Sequence, residues 1–166
     1  MREVPIAEAW KQKYPEQVVF ATSVGSDGKP NIIVLGWAMP TSGSAPMVAI
    51  SVGHTRYSHQ TISAGGDFVL AFPAASMTDA MMYCGTHSGR DGDKFGPAGL
   101  RTLPARRVRS PLVDGCVANF ECRLVSQHTT GDHTIFVGEI LTAHVEDGVE
   151  RLYNLGGGRF GPIRPA

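Results

Sequence analysis

The chain has 166 residues, the length of a single domain, and a chain of this size buries about two-thirds of its unfolded surface without a disulfide or metal staple. Apolar residues make up 42% and charged residues 18%, and 15 Lys and Arg balance 15 Asp and Glu. That balance excludes a basic nucleic-acid binder and an acidic disordered tail. The 20 Gly and 11 Pro follow no Gly-X-Y period and imply many turns, hence a strand-rich fold. Cys84, Cys116 and Cys122 are too few and too odd in number for a disulfide framework. The start carries Arg2, Glu3 and Glu8 with no apolar signal-peptide core, and no window approaches the ~18 continuous apolar residues of a membrane span. A soluble cytoplasmic protein with neither nucleic-acid nor membrane partners is expected.

Residues 17–24 form a β-branched and apolar run that ends in the turn formers Gly25-Ser26-Asp27-Gly28-Lys29-Pro30. Residues 31–37 resume with Ile32, Ile33, Val34 and Leu35, which predicts a hairpin. Residues 40–46 break the pattern with two prolines and a glycine, and residues 47–52 are a third strand. Residues 54–62 read as a short helix stopped by Gly65-Gly66, the composition of a left-handed C-terminal cap. Residues 67–72 are a strand ended by Pro73. Ser76, with Asp79 three positions on, fits an N-cap for a helix through Met81, Met82 and Tyr83, closed by Gly85.

Residues 86–104 read as a long loop with at most one helical turn, and long ordered loops are often functional. Ala118, Phe120, Cys122 and Leu124 alternate with Asn119, Glu121 and Arg123, the pattern of a half-buried antiparallel strand. Residues 133–145 return after a turn, and a last short strand is expected over 151–155, before a Gly-rich tail over 156–166. No repeat or boundary divides the chain, so residues 1–166 are read as one domain. Six or seven strands with two or three short helices predict a mainly β fold, a closed or nearly closed antiparallel barrel. The connections are too short for the crossover helices of a parallel sheet.

Four segments carry candidate chemistry. The helix start near Thr55 offers free N–H groups, and Arg56, Ser58 and Thr61 add a charge and two hydroxyls, which suits a phosphate monoester. An N-cap beside an exposed arginine explains the same residues. In Ser88-Gly89-Arg90-Asp91-Gly92-Asp93-Lys94-Phe95, glycines allow close backbone approach, and Arg90 and Lys94 supply positive charge. The alternative is a solvated loop in which Asp91 and Asp93 neutralise those cations. Trp37-Ala38-Met39-Pro40-Thr41-Ser42 offers the apolar wall and hydroxyls that a flat aromatic cofactor needs, although a core tryptophan is commoner. Gly131-Asp132-His133 is explained by turn chemistry, with His133 either capping the turn or facing a substrate.

Metal chemistry has little support, because Cys116, Cys122 and His128 match no compact zinc spacing and Cys122 falls on the apolar phase of its strand. No Gly-x-Ser-x-Gly elbow, HExxH helix or GxGxxG turn is present. The zero net charge hides an asymmetry. Six basic residues against two acidic ones lie between Arg90 and Arg109, and seven acidic residues against one basic lie between Asp114 and Glu150. The basic stretch is expected to face an anionic cofactor, an acidic neighbouring subunit, or solvent.

In chain order, Pro30-Asn31, Trp37 with Thr41-Ser42, the Pro46-Met47-Val48-Ala49-Ile50-Ser51 strand and Arg56-Tyr57-Ser58-His59-Gln60-Thr61 form a recognisable series. It continues with the Phe68 strand ending at Pro73, the Ser88 to Phe95 loop with Gly99-Leu100, and Gly131-Asp132-His133 before Gly138. Over residues 17–145 this series resembles the flavin reductase-like family of FMN-binding split-barrel proteins, and within it the flavoredoxin-like members. Two features depart from the classical two-component reductases. Ala45-Pro46 stands where they often carry a double proline, and Arg56-Tyr57-Ser58 differs from their Ser/Thr phosphate pattern.

The resemblance implies an antiparallel split β-barrel homodimer with FMN, rather than FAD, at the subunit interface. It implies that Trp37, Ala38, Met39, Pro40, Thr41 and Ser42 line the isoalloxazine and ribityl side. Arg56, Tyr57, Ser58 and Thr61 would hold the phosphate, with Arg90 and Lys94 as further candidates, and His133 would lie on the nicotinamide side. The implied activity is an NAD(P)H-dependent flavin reductase that transfers hydride from nicotinamide to flavin and supplies an oxygenase or electron-transfer partner. The alternatives are a flavoredoxin-type FMN electron carrier without its own NAD(P)H activity, and a barrel that binds another small ligand or none.

Overall fold

The computed structural model describes residues 1–163; residues 164–166 of the expected tail lie outside the described residues. A short helix α1 (Ile6–Ala9), continued by a 3-10 turn over Trp10–Lys13, precedes strand β1 (Glu16–Gln17). Then follow β2 (Val19–Val24), β3 (Pro30–Leu35), β4 (Ala38–Gly43), β5 (Pro46–Gly53), α2 (Tyr57–Gly65), β6 (Asp67–Phe72) and α3 (Thr78–Thr86). The second half holds β7 (Thr102–Leu103), β8 (Leu112–Val113), the long β9 (Ala118–Thr130) and β10 (His133–Val145), β11 (Tyr153–Gly156) and β12 (Arg159–Gly161). No helix of the described residues is long and apolar enough to cross a membrane.

The fold is mainly β. Seven strands make one antiparallel sheet in the order β3-β2-β6-β9-β10-β5-β4. Side chains of β2 and β5, which are separated by three strands in that order, share one core cluster: Val19 and Ala21 meet Val48, Ile50 and Val52, together with Phe68, Phe136 and Ile62. The sheet is therefore curled onto its own apolar face. Its edges β3 and β4 are not hydrogen-bonded to each other, so the expected barrel is not closed. A second cluster covers the opposite face of β2, where Phe20 and Ile32 pack on Met81 and Cys84 of α3 and on Phe95, Val113 and Leu152. Burial on both faces explains why β2 reads as a continuous apolar run rather than an alternation.

Local signals account for several boundaries. Gly66 adopts φ 73° and its N–H donates to Ile62 O at 3.0 Å, ending α2 in the left-handed cap expected there. Other expectations need correction. The break over residues 40–46 is strand β4, whose exposed edge residues need no apolar period because backbone pairing with β5 holds them. Ser76 does not cap α3; it lies inside a 3-10 turn over Ala75–Met77, and α3 begins without a side-chain cap. Strand β9 is not half-buried along its first half. Asn119 and Glu121, expected to face water, are 6% and 0% exposed, because the chain before β9 folds across that face. The Gly-rich tail contributes β12, paired with β11.

Candidate functional site

Strand β3 ends at Leu35 and leads into Gly36-Trp37, strand β5 ends at Gly53, and a short turn leads from it to helix α2 at Tyr57. The C-terminal end of α3 and the loop that follows lie alongside. Together they enclose a cavity of about 460 Å³, within the range of small-molecule and cofactor sites. Trp37, Arg56, Tyr57, Ser58, Arg90, Lys94 and His133 all line it, so residues from four separate segments meet at one site.

One end of the cavity is an anion cradle. Tyr57 and Ser58 open α2, and Arg56 before them is extended and provides no side-chain cap, so the first N–H groups of the helix have no intrahelical partner. The Ser58 hydroxyl is 3% exposed and accepts from Asn31 Nδ2 at 2.7 Å. The hydroxyl donates to no residue among those described. Asn31 is itself buried, and its Oδ1 has no hydrogen-bond partner among the described residues. Gly89 packs directly on that oxygen, since a Cβ there would fall 2.1 Å from it. Arg56 and Arg90 have no carboxylate within ion-pairing distance among the described residues. Asp93 does not neutralise them, because its oxygens accept from the N–H groups of Phe95 at 3.0 Å and Gly96 at 2.9 Å.

The other end is aromatic. The rings of Trp37 and His133 lie 5.0 Å apart at 41°. His133 Nδ1 is held by Asp132 Oδ1 at 2.6 Å, and that bond keeps the fully exposed Asp132 carboxyl below its ordinary value. Glu16 lines the wall beside Trp37 and pairs with Lys13 Nζ at 2.8 Å. It sits so close to Gly36 that a Cβ there would come 2.8 Å from its Cδ.

Several expected site residues lie elsewhere or act otherwise. Thr61 is buried one turn into α2, where its hydroxyl bonds Ser23 Oγ at 2.6 Å; it points into the core and does not line the cavity. Ala38, Met39, Pro40, Thr41 and Ser42 run along edge strand β4 and do not line this chain's cavity either. Lys94 reaches the cavity but is not a free loop cation. It is 6% exposed, and its ammonium donates to Cys84 O at 3.1 Å and His87 O at 3.3 Å, tying down the end of α3. Burial pushes its pKa down. Sequence reasoning gave no role to Asn31, whose only signal is a polar residue heading an apolar strand. It also missed His87, stacked on Tyr83 with centroids 3.9 Å apart at the cavity's margin.

No group of three or more His, Cys, Asp or Glu among the described residues is placed to hold an ion. Cys116 and Cys122 are buried free thiols pushed up to about 12 by burial.

The model of the flavin reductase like domain matches residues 11–163. The chain belongs to the flavin reductase-like family. A relative within reach is the NADH-dependent FAD reductase of Streptomyces globisporus, 31% identical over 153 residues, covering 92% of this chain and 81% of that protein. Among solved structures, flavoredoxin from Methanosarcina acetivorans superposes with a TM-score of 0.84 at 25% identity, covering 93% of this chain and 88% of the other. The FMN-binding protein of Thermus thermophilus, with bound p-hydroxybenzaldehyde, superposes with a TM-score of 0.85 at 25% identity, covering 98% and 95%. A flavin of this family fits the donor set in the cavity. The cavity's aromatic wall suits a planar ring system, and its uncapped N–H groups, hydroxyl and unpaired arginines suit a phosphate.

Proposed function

We propose that this chain binds FMN in the cavity and acts as an NAD(P)H-dependent flavin reductase. The observation that carries the reading is the joining, in one cavity, of the Trp37–His133 aromatic end to the anion cradle at the start of α2. Arg56, the Ser58 hydroxyl and the first N–H groups of α2 hold the phosphate, and Asn31 Nδ2 positions that hydroxyl. Trp37 packs against the ring system. His133, oriented by Asp132, marks the side where the nicotinamide docks. A bound flavin supplies the redox chemistry, so the protein need only provide position, charge and exclusion of water. The cavity offers one anion cradle, which suits the single phosphate of FMN.

On the same reading the curled sheet is the split barrel of the family, and the protein works as a homodimer in the cytoplasm. Trp10, Trp37 and Met39 are 57%, 48% and 58% exposed, an apolar surface beside edge strand β4 that a second copy would cover. Residues 38–42 would then face the flavin of the other copy rather than their own.

A second reading, an FMN electron carrier that takes electrons from a protein donor, is favoured by the likeness to flavoredoxin. One experiment separates the two. The purified protein is equilibrated with FMN, freed of excess, and titrated anaerobically with NADH and NADPH while the visible flavin absorption is followed. Uptake with bleaching is the expected result. Uptake without bleaching by either nucleotide leaves the carrier, and no uptake removes both.

A further inference from the structure

Two walls of the cavity that are distant in sequence are tied together by a single side chain. Arg90 Nη1, from the loop after α3, donates to Thr55 O in the turn between β5 and α2, at 3.0 Å. Its guanidinium lies over the Tyr57 ring, 5.5 Å from the centroid. The loop behind it is seated without slack. A Cβ on Gly89 would fall 2.1 Å from Asn31 Oδ1 and 3.0 Å from Tyr57 Cδ1, so the backbone that carries Arg90 is pressed onto the anion cradle itself. Arg90 and Thr55 are both exposed and both line the cavity, which puts the bridge at its rim.

We propose that Arg90 is a specificity-determining strap that makes the cavity select a flavin mononucleotide over a flavin dinucleotide. The proposal rests on the flavin reading above. A terminal phosphate monoester ends at the start of α2 and gains from the uncompensated Arg90 charge. A dinucleotide continues into a second phosphate and a nucleoside beyond the start of α2, where the bridge from the Arg90 loop to the Thr55 turn stands at the cavity's rim. Admitting that continuation breaks the bond to Thr55 and lifts the guanidinium from Tyr57, a loss of about tenfold in affinity for a charge-assisted bond with a cation–π contact at an exposed site.

The test is a pair of equilibrium titrations, FMN and FAD, read by flavin fluorescence for the wild type, Arg90→Ala and Arg90→Lys, each checked for an unchanged melting temperature. The wild type should bind FMN about tenfold more tightly than FAD. Arg90→Ala should lose FMN affinity while FAD affinity holds or rises, bringing the ratio toward one. Arg90→Lys keeps the charge without the planar fork, so FMN affinity should stay near wild type while FAD affinity rises. A wild type that binds the two flavins alike, or an Arg90→Ala protein that keeps the wild-type ratio, overturns the strap and leaves the flavin reading standing. Binding of neither flavin by the wild type removes the flavin reading and the strap with it.

Discussion

Glu121 is the most deeply buried acid of the chain, and replacing it with glutamine should loosen the segment that covers β9. Its carboxylate accepts from Arg106 N at 3.0 Å and Arg107 N at 2.6 Å, and it pairs with His144 Nε2 at 2.7 Å. Burial pushes the carboxyl up, but the bonds from Arg106, His144 and Arg107 outweigh it, and the group lies below its ordinary value of 4.5. Glu121→Gln preserves volume but removes the charge and turns an amide N–H toward backbone donors. Bonds to a charged group contribute about 1.5–3 kcal/mol each, and their losses overlap within one cluster. Breaking a buried charged arrangement from one side costs about 3–5 kcal/mol. Glutamine keeps one acceptor oxygen, so a loss of about 3 kcal/mol is expected, or roughly 6–12 °C in melting temperature for a chain of this size.

Urea unfolding at neutral pH measures the loss, and amide exchange at Arg106 and Arg107 localises it. The pH dependence has a fixed sign. A carboxyl whose folded pKa is lowered stabilises fully above its ordinary value of 4.5 and loses that contribution as the pH falls through the lowered value. Wild type and variant should therefore differ most near neutrality and converge in acid. A loss under about 1 kcal/mol, or parallel pH curves, would refute the clamp.

Three further outcomes are expected. Arg56→Ala should weaken FMN binding by about 1.5–3 kcal/mol, roughly 10- to 150-fold in Kd, and an unchanged Kd removes Arg56 from the cradle. Gly89→Ala places a Cβ 2.1 Å from Asn31 Oδ1 and should lower stability by about 1–3 kcal/mol, as overpacking does. Adding Asn31→Ala should recover part of that loss, and strictly additive melting temperatures in the double variant would show that the clash is relieved elsewhere. Cys116 and Cys122, buried with thiols pushed up to about 12, should resist thiol reagents at mildly alkaline pH until the protein unfolds. Fast native-state labelling of either one would contradict their burial.

What the sequence by itself determined is what neighbours along the chain control. The apolar runs of β2, β5 and β6, the return of the chain over residues 133–145 as β10 and the glycine that ends α2 follow from strand period and backbone sterics, which act over a few residues. Tertiary structure decided what distant segments control. β4 carries Pro40, Thr41, Ser42 and Gly43 with no apolar period, and only pairing with β5 makes it a strand. The alternation in β9 points Glu121 outward, yet residues 106 and 107 close over it. The basic stretch and the acidic stretch also turn toward each other: Arg101 pairs with Asp114, and the backbone at 106 and 107 donates to Glu121. Lys94 reads as a loop cation for a ligand and instead ties the end of α3. Trp37, Arg56, Arg90 and His133 are spread over some hundred positions, and only the curling of the sheet brings them to one cavity. Local propensity depends on adjacent residues alone, whereas the partner that buries a charge or completes a site is set by long-range packing.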